Sequence, residues 1–266
     1  MRTAITLSQV PEAAAGPFVF RTPLSEAFAT AAEIGFDAVE LFLPAPDFAS
    51  VEEIQGLARE HNLAIAAVGT GAGMLRHGLT FTDPSAEKRE AAVEFVLSMI
   101  DLGGRLGAPA ILGSMQGRNI GPDSLDHLIS GLRRCAQAAA VHKVPFIYEP
   151  LNRYETNLFN RLGDAARFIE SNDLKNVVLL ADLFHMNIEE RDPAAAIREA
   201  AGHIGHVHFA DSNRQAMGFG HTDAERVIDA LREIGYSGYL SAEIFPLPDP
   251  ETAARQILSS IHSLLS

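Results

Sequence analysis

Short apolar runs rich in β-branched residues alternate with longer stretches of helical periodicity, and this alternation repeats eight times along the 266 residues. The predicted strands cover residues 3–7, 37–43, 63–69, 108–114, 144–149, 176–182, 205–209 and 239–244. The predicted helices cover residues 22–34, 50–61, 86–106, 121–141, 163–171, 193–201, 223–235 and 250–265. Eight strand-helix repeats in about 250 residues are the pattern of a parallel (β/α)8 barrel. We therefore predict an α/β chain that folds as one TIM-barrel domain over residues 1–266.

The residues at the predicted helix boundaries support this assignment. Asp192 precedes Pro193 at the start of the sixth helix, where an aspartate caps the first turn and a proline fits its backbone. Gly35, Gly107 and Gly235 mark the ends of three helices, where glycine adopts the left-handed conformation that closes the last turn.

The composition excludes several classes of partner. The chain has 34 acidic and 21 basic side chains and a net charge of −13, whereas nucleic acids and anionic membranes attract basic surfaces. No apolar stretch reaches the roughly 18 residues that a membrane span requires. The single cysteine, Cys135, cannot form an internal disulfide, so we expect a cytoplasmic protein. The sequence leaves open whether the chain forms a homo-oligomer.

Four ionisable residues lie at or just before the ends of consecutive predicted strands. They are Glu149, Asp182, His208 and Glu243, and they are separated by 33, 26 and 35 residues, close to one barrel repeat each. The carboxyl ends of parallel barrel strands converge on one face, so these side chains should meet there. Three carboxylates and one imidazole without a thiolate suit a hard divalent cation such as Mn²⁺ or Mg²⁺. We predict a site for one divalent metal.

Each of these residues taken singly has a simpler interpretation. Glu149 could be a solvated acid at a strand end, and Asp182 could cap the next turn. His206 and His208 share one face of their strand, and we assign the ligand role to His208, with His206 as its neighbour or a core residue. Glu243 lies between Ala242 and Ile244, where an unpaired charge is costly. The coincidence of all four favours a common site.

Further polar residues follow the same strands and are candidates for contacts to a substrate. Glu155, His185 and Arg214 lie on the predicted loops after the fifth, sixth and seventh strands, where barrel enzymes bind their substrates. Arg118 ends the turn GSMQGR after the fourth strand and could pair with a substrate carboxylate. A solvated arginine on a tight turn is an equally good interpretation of Arg118.

Five segments together resemble the xylose isomerase-like TIM barrels, and among these the ketose 3-epimerases: D-tagatose, D-psicose and L-ribulose 3-epimerases. The segments are EPLNRYET, FHMNIEE, HFADSNR, GHTD and SAEI. The stretches VGTGAGML and GLTFTDP are most similar to those of the related 5-keto-L-gluconate epimerases. The resemblance implies that Glu149, Asp182, His208 and Glu243 bind a metal, usually Mn²⁺. It also implies that Glu149 and Glu243 are the acid/base groups, and that Glu155, His185 and Arg214 contact a sugar or sugar acid.

The chemistry of epimerisation explains the need for two glutamates. Removing the proton from a carbon beside a ketone gives an enediolate, and inversion needs a base on one face and an acid on the other. A Lewis-acidic metal would stabilise that intermediate. We predict a sugar 3-epimerase. An aldose–ketose isomerase of the hydroxypyruvate type and an inosose-type dehydratase on the same scaffold remain alternatives. An endonuclease IV-like nuclease would need a basic groove, and a non-catalytic sugar-binding barrel would not need both glutamates.

Overall fold

The computed structural model describes residues 1–266 and shows a closed barrel of eight parallel strands in sequential order. The strands are β1 (Arg2–Ser8), β2 (Ala38–Phe42), β3 (Ala64–Gly69), β4 (Ala110–Leu112), β5 (Phe146–Tyr148), β6 (Val177–Asp182), β7 (Ile204–His208) and β8 (Tyr239–Ala242). Strand β1 pairs in parallel with both β2 and β8, which closes the barrel. The predicted (β/α)8 barrel is thus confirmed, and each predicted strand overlaps an observed one.

Ten helices surround the strands. They are α1 (Leu24–Ile34), α2 (Val51–Glu60), α3 (Ala72–His77), α4 (Ala86–Arg105), α5 (Ser124–Val141), α6 (Leu162–Ser171), α7 (Leu183–Glu189), α8 (Pro193–Glu199), α9 (Ala224–Glu233) and α10 (Pro250–Leu265). Eight correspond to the predicted helices, whereas the short helices α3 and α7 follow β3 and β6 directly and were not predicted. Both extra helices lie at the carboxyl end of the barrel, where they shape the rim.

The helix boundaries have the physical causes that the sequence suggests. The side chain of Asp192 accepts a hydrogen bond from the backbone N–H of Ala195, which satisfies a free donor in the first turn of α8. Gly35 follows α1 with φ of 107° and Gly107 lies beyond α4 with φ of 74°, conformations that disfavour residues with a Cβ.

Two apolar layers stabilise the barrel. The larger layer lies between the helices and the outer faces of the strands and contains 66 buried residues. A small cluster of Ala67, Ile111, Ile147 and Leu180 comes from the strand positions two residues before Gly69, Gly113, Glu149 and Asp182, and Ile111 itself also lines the central cavity. Because strand side chains alternate between faces, this cluster forms a packed floor one layer beneath the candidate site. None of the helices is long and apolar enough to span a membrane.

Candidate active site

The carboxyl ends of β5 to β8 bring the four predicted ligands together. Asp182 and His208 are the last residues of β6 and β7 and are direct partners in the register between these strands. Glu149 follows β5 directly, and Glu243 follows β8. Glu149, Asp182 and His208 each offer a donor atom, and these three atoms lie within 4.8 Å of one another. The sequence pattern therefore located a real convergence of side chains.

His208 lies at the centre of this group. Its Nδ1 is 3.4 Å from Oδ2 of Asp182, 3.7 Å from Oε2 of Glu243 and 3.8 Å from Oε1 of Glu149. The imidazole is buried, and so are Glu149 and Asp182. Three carboxylates that converge on one imidazole nitrogen out of water need a compensating positive charge. This donor set, rich in oxygen and with a single imidazole nitrogen, fits a divalent cation of the Mn²⁺ or Mg²⁺ kind.

The carboxylates differ in their electrostatic environments. Burial raises the pKa of Glu149 well above its usual range, and the nearby charges of Glu243 and Asp182 add to this effect against that of His208. For Asp182, burial is outweighed by the charge of His185, the hydrogen bond with His208 and the charge of Arg214, which hold its pKa well below the usual range. Burial thus disfavours the charged form of Glu149, whereas the cationic neighbours of Asp182 favour its carboxylate form.

Asp182 also caps a helix, so the two interpretations of this residue hold together. Its Oδ1 accepts hydrogen bonds from the backbone N–H groups of Phe184 (2.8 Å) and His185 (3.1 Å), at the start of α7. Its Oδ2 faces His208. The cap fixes the carboxylate's rotation, so that one oxygen always points into the site.

His185, the third residue of α7, points into the same site. Its Nε2 lies 3.8 Å from both Glu149 Oε1 and Asp182 Oδ2. Its Nδ1 is 2.8 Å from the side-chain nitrogen of Asn152, which also donates to Glu155 Oε1 at 3.0 Å. Because Asn152 presents a donor to Nδ1, the proton of a neutral His185 sits on Nε2 and is directed at the site. His185 and Glu155 are thus linked through Asn152, which the sequence analysis did not single out.

Arg214 supplies a positive charge to the site. Its guanidinium donates a hydrogen bond to Glu243, lies 3.7 Å from Asp182 Oδ2, and stacks 4.8 Å above the ring of Phe184. Burial would lower the pKa of Arg214, but the charges of Glu243 and Asp182 outweigh this and raise it. The side chain is therefore a permanent cation that holds two of the carboxylates in place.

Asp211 builds the loop that carries Arg214. Its carboxylate accepts hydrogen bonds from the backbone N–H groups of Ser212, Gly218, Gly220 and Thr222 at 2.7 to 2.9 Å. Arg214 itself has φ of 59°, a left-handed conformation that is costly for a residue with a Cβ. The loop closed by Asp211 holds this conformation and so directs the guanidinium towards the site.

The side chain of Glu149 packs against the loop after β4. A Cβ at Gly113 would lie 2.5 Å from Glu149 Oε2, so the carboxylate occupies the space that a side chain would take. The side chain of Gln116 donates to the carbonyls of Gly113 (3.0 Å) and Glu149 (2.9 Å), and Tyr148 donates to Gln116 (2.8 Å). The segment GSMQ of the turn after the fourth strand thus positions Glu149.

The structure does not bring Arg118 into the cavity. Its guanidinium donates to the backbone carbonyls of Glu155 at 3.0 Å and Tyr154 at 3.4 Å. It braces the loop that carries Glu155, and it is absent from the cavity lining. The alternative of Arg118 as a turn residue fits this geometry better than a contact with a substrate carboxylate.

Glu40 is the buried acid that the sequence analysis missed. It lies in the middle of β2, is 3% exposed, and binds His206 and His208 across the barrel. An available signal was its position between Val39 and Leu41 in the apolar run AVELF, because a charge there needs a partner as Glu243 does.

A cavity of about 300 Å³ opens above these residues. Its polar side consists of the groups at β5 to β8. The opposite side is largely apolar and is formed by Phe42 at the end of β2 and by the segments after β1 and β3, with Pro17, Phe18, Met74 and Leu75. The rings of Phe18 and Phe42 stack with centroids 4.6 Å apart. The cavity suits a small molecule with one polar, reacting end.

A family model described as xylose isomerase-like TIM barrel matches residues 28–264. The chain belongs to the xylose isomerase-like TIM barrel family. This confirms the family to which the sequence motifs pointed, and it accounts for the concentration of polar side chains at one end of the barrel.

Named relatives of this xylose isomerase-like chain are epimerases. An L-ribulose 3-epimerase of Mesorhizobium japonicum is 35% identical over 85% of the chain and 76% of the relative. A 3-dehydro-D-guloside 4-epimerase of Escherichia coli is 32% identical over 90% of the chain and 94% of the relative. The crystal structure of a 3-keto-D-glucoside 4-epimerase from E. coli superposes with a TM-score of 0.83, at 26% identity, over 99% of this chain and 100% of that one.

Proposed function

We propose that this chain is a sugar epimerase that inverts the carbon next to a ketone, C3 of a free ketose, with the help of a divalent metal. The observation that carries the proposal is the placement of two glutamates. Glu149 and Glu243 come from β5 and β8, which are not neighbours in the barrel, and both approach His208 Nδ1 within 3.8 Å. Two carboxylates reaching one point from separate strands supply a group for each face of the reacting carbon.

In this proposal the two glutamates exchange roles with the direction of reaction. One carboxylate removes the proton from the carbon beside the ketone, and the other carboxyl group returns a proton to the opposite face. Arg214 fixes the orientation of Glu243 through its hydrogen bond. His185 presents its Nε2 to the same space and would donate to a substrate oxygen.

Glu149, Asp182, His208 and Glu243 would hold the metal. A divalent ion there would stabilise the negative charge of the enediolate as a Lewis acid. Mn²⁺ is our candidate, because its preference for oxygen ligands with some imidazole matches the donor set, and Mg²⁺ or Co²⁺ are alternatives.

The charges around the cavity favour an uncharged sugar over a sugar acid. The guanidinium of Arg214 is engaged with Glu243 and Asp182, and Arg118 is bound to backbone carbonyls. At the far rim the cavity presents the carboxylate of Glu12, paired with Arg76 at 3.2 Å. Away from the proposed metal, a substrate carboxylate would therefore meet repulsion without a free cationic side chain to bind it. We propose a neutral ketose as substrate.

A second candidate is the C4 epimerisation of a 3-keto glycoside. It is favoured by the E. coli relative named a 3-dehydro-D-guloside 4-epimerase, which the chain matches over 94% of that relative's length. The chemistry is the same, because C4 of such a glycoside also lies beside a ketone. We also infer a cytoplasmic location from the unpaired, buried Cys135.

A substrate screen tests the proposal and separates the two candidates. The purified chain is stripped with chelator, reloaded with Mn²⁺, and incubated with ketopentoses, ketohexoses, keto-sugar acids and 3-keto glycosides, with product chromatography as the readout. We expect epimers of neutral ketoses, and their formation should stop on chelation. Aldoses as the sole products would establish an isomerase instead, and turnover confined to 3-keto glycosides would select the second candidate.

A further inference from the structure

Glu40 is a charged side chain inside the barrel, and its two oxygens have separate partners. Oε2 is 2.7 Å from Nε2 of His206, and Oε1 is 3.0 Å from Nε2 of His208. Glu40 lies on β2 and the histidines on β7, so these contacts cross the barrel. All three side chains are at most 3% exposed. A buried carboxylate with both oxygens engaged has a fixed rotamer.

The contact with Glu40 determines which nitrogen of His208 faces the candidate metal site. Nε2 points at Glu40, and Nδ1 consequently points at the carboxylates of Asp182, Glu149 and Glu243. A carboxylate accepts hydrogen bonds and cannot donate them, so Nε2 carries the proton. In the neutral ring Nδ1 then has a free lone pair, which is the form that binds a metal ion.

Stability alone gives no reason for this arrangement. Buried charged pairs add little to stability compared with apolar side chains of the same volume. Orientation does give a reason. Substituting a residue that hydrogen-bonds the far nitrogen of a metal-binding imidazole typically lowers the metal affinity by about 10- to 100-fold.

We infer that Glu40 is a positioning residue that holds His208 with Nδ1 available to a divalent cation, and that His206 holds Glu40 in turn. This inference rests on the proposed metal centre and goes beyond it, since neither residue is a proposed ligand. His206 has the supporting role because its ring, 5.5 Å from that of His208 and nearly perpendicular to it, engages Glu40 Oε2.

The Glu40→Gln variant isolates the effect. The amide has nearly the same shape but offers one acceptor and one donor, so it cannot accept from both rings. One histidine must then present a lone pair at Nε2 and move its proton to Nδ1, which for His208 directs a proton at the cation site. Two readouts follow: Mn²⁺ affinity by titration calorimetry, and the tautomer of His208 in the metal-free chain by ¹⁵N NMR of labelled histidine, recorded at a pH high enough for the imidazole to be neutral.

For the wild type we expect one Mn²⁺ per chain and the tautomer protonated at Nε2. In Glu40→Gln we expect an affinity about 10- to 100-fold lower and a shift of His208 towards the Nδ1–H tautomer. His206→Gln, whose amide can still donate to Glu40, should lose less affinity. Glu189→Gln is the matched control, because it removes another buried carboxylate, paired with Arg153, and should leave Mn²⁺ affinity unchanged.

Several results would overturn the inference. Unchanged Mn²⁺ affinity and an unchanged His208 tautomer in Glu40→Gln would rule out the positioning role. A stoichiometry of two Mn²⁺ per wild-type chain that falls to one in Glu40→Gln would also rule it out, because Glu40 and the histidines would then form a metal site of their own. If Glu40→Gln does not fold, Glu40→Asp serves, because the shorter carboxylate cannot reach both rings and should also weaken Mn²⁺ binding. A wild type that binds no divalent metal refutes the proposed metal centre, whereas the tautomer measurement still tests Glu40 without metal.

Discussion

Arg214 donates a hydrogen bond to Glu243, and the same nitrogen lies 3.7 Å from Asp182. One guanidinium therefore orients two of the four proposed metal ligands while its own backbone is held in a left-handed conformation by the loop around Asp211. Since both carboxylates are largely buried, the cation beside them matters more than it would at the surface. This pairing links the loop after β7 to the carboxylate that acts on one face of the substrate.

We predict that Arg214→Ala lowers kcat/KM by about 10- to 100-fold, corresponding to the loss of a charge-assisted hydrogen bond. The variant should still bind metal, because Arg214 donates no ligand. Steady-state kinetics and elemental analysis on the same preparation provide the two measurements. Wild-type kinetics would contradict the role of Arg214, and a metal-free variant would show that it acts on the metal site instead.

We predict that Gly113→Ala impairs turnover far more than stability. The added Cβ would lie 2.5 Å from Glu149 Oε2, and the flexible carboxylate can move away at small cost to the fold. Its catalytic position would be lost, so we expect a melting temperature within a few degrees of wild type and a fall in kcat of at least about 100-fold. Gly121→Ala is the control, since nothing lies within 4 Å of a Cβ there. Equal activity of both variants would show that the close approach of Gly113 to the Glu149 carboxylate is not needed for catalysis.

We predict that metal affinity rises with pH. Burial raises the pKa of Glu149. For His208, burial alone would lower the pKa, but the charges of Glu40 and Glu243 and the hydrogen bond with Asp182 outweigh burial and raise it. For both groups the protonated form stabilises the metal-free folded chain at low pH, and this contribution is lost as the pH rises through the raised folded-state pKa. A metal must displace these protons. Calorimetry in buffers of different ionisation enthalpy should detect proton release. An Mn²⁺ affinity that does not change between about pH 6 and 8 would contradict this prediction.

We predict that the single cysteine is inert in the native chain. Cys135 is fully buried on α5, and burial raises the pKa of its thiol to about 12. Thiolate is the reactive form, so iodoacetamide at about pH 8 should leave the folded protein unmodified and label one site in urea. Mass spectrometry gives the count. Fast labelling of the folded chain would show that α5 opens under native conditions.

The barrel could be predicted because its signals are local. Each strand is an apolar run, and the capping residues mark the helices, as Asp192 does for α8. Helices α3 and α7 were not predicted because they have only six and seven residues, and neither begins with an Asp-Pro pair such as the one that marks the seven-residue helix α8. A helix of fewer than two turns has too few positions to show a period of 3.6 residues.

The candidate site, like the fold, was predictable only where its signals are local in the sequence. The positions of Glu149, Asp182, His208 and Glu243 follow from strand order, because the barrel converts chain position into a place on the rim. The contacts of Glu40 and Arg118 depend on which side chains or backbone carbonyls face them from segments at least 36 residues away, and no spacing within one segment encodes that.

The central claim is that Glu149 and Glu243 invert one carbon through an enediolate, and isotope exchange tests it most directly. The chain loaded with Mn²⁺ is given a ketose in deuterated water, and the product is examined by NMR. The account predicts one deuterium per product at the inverted carbon and nowhere else, and near-complete loss of epimerisation in Glu149→Gln and Glu243→Gln variants that retain metal. Label at C1 with formation of an aldose, or product without exchange at either carbon, would contradict it.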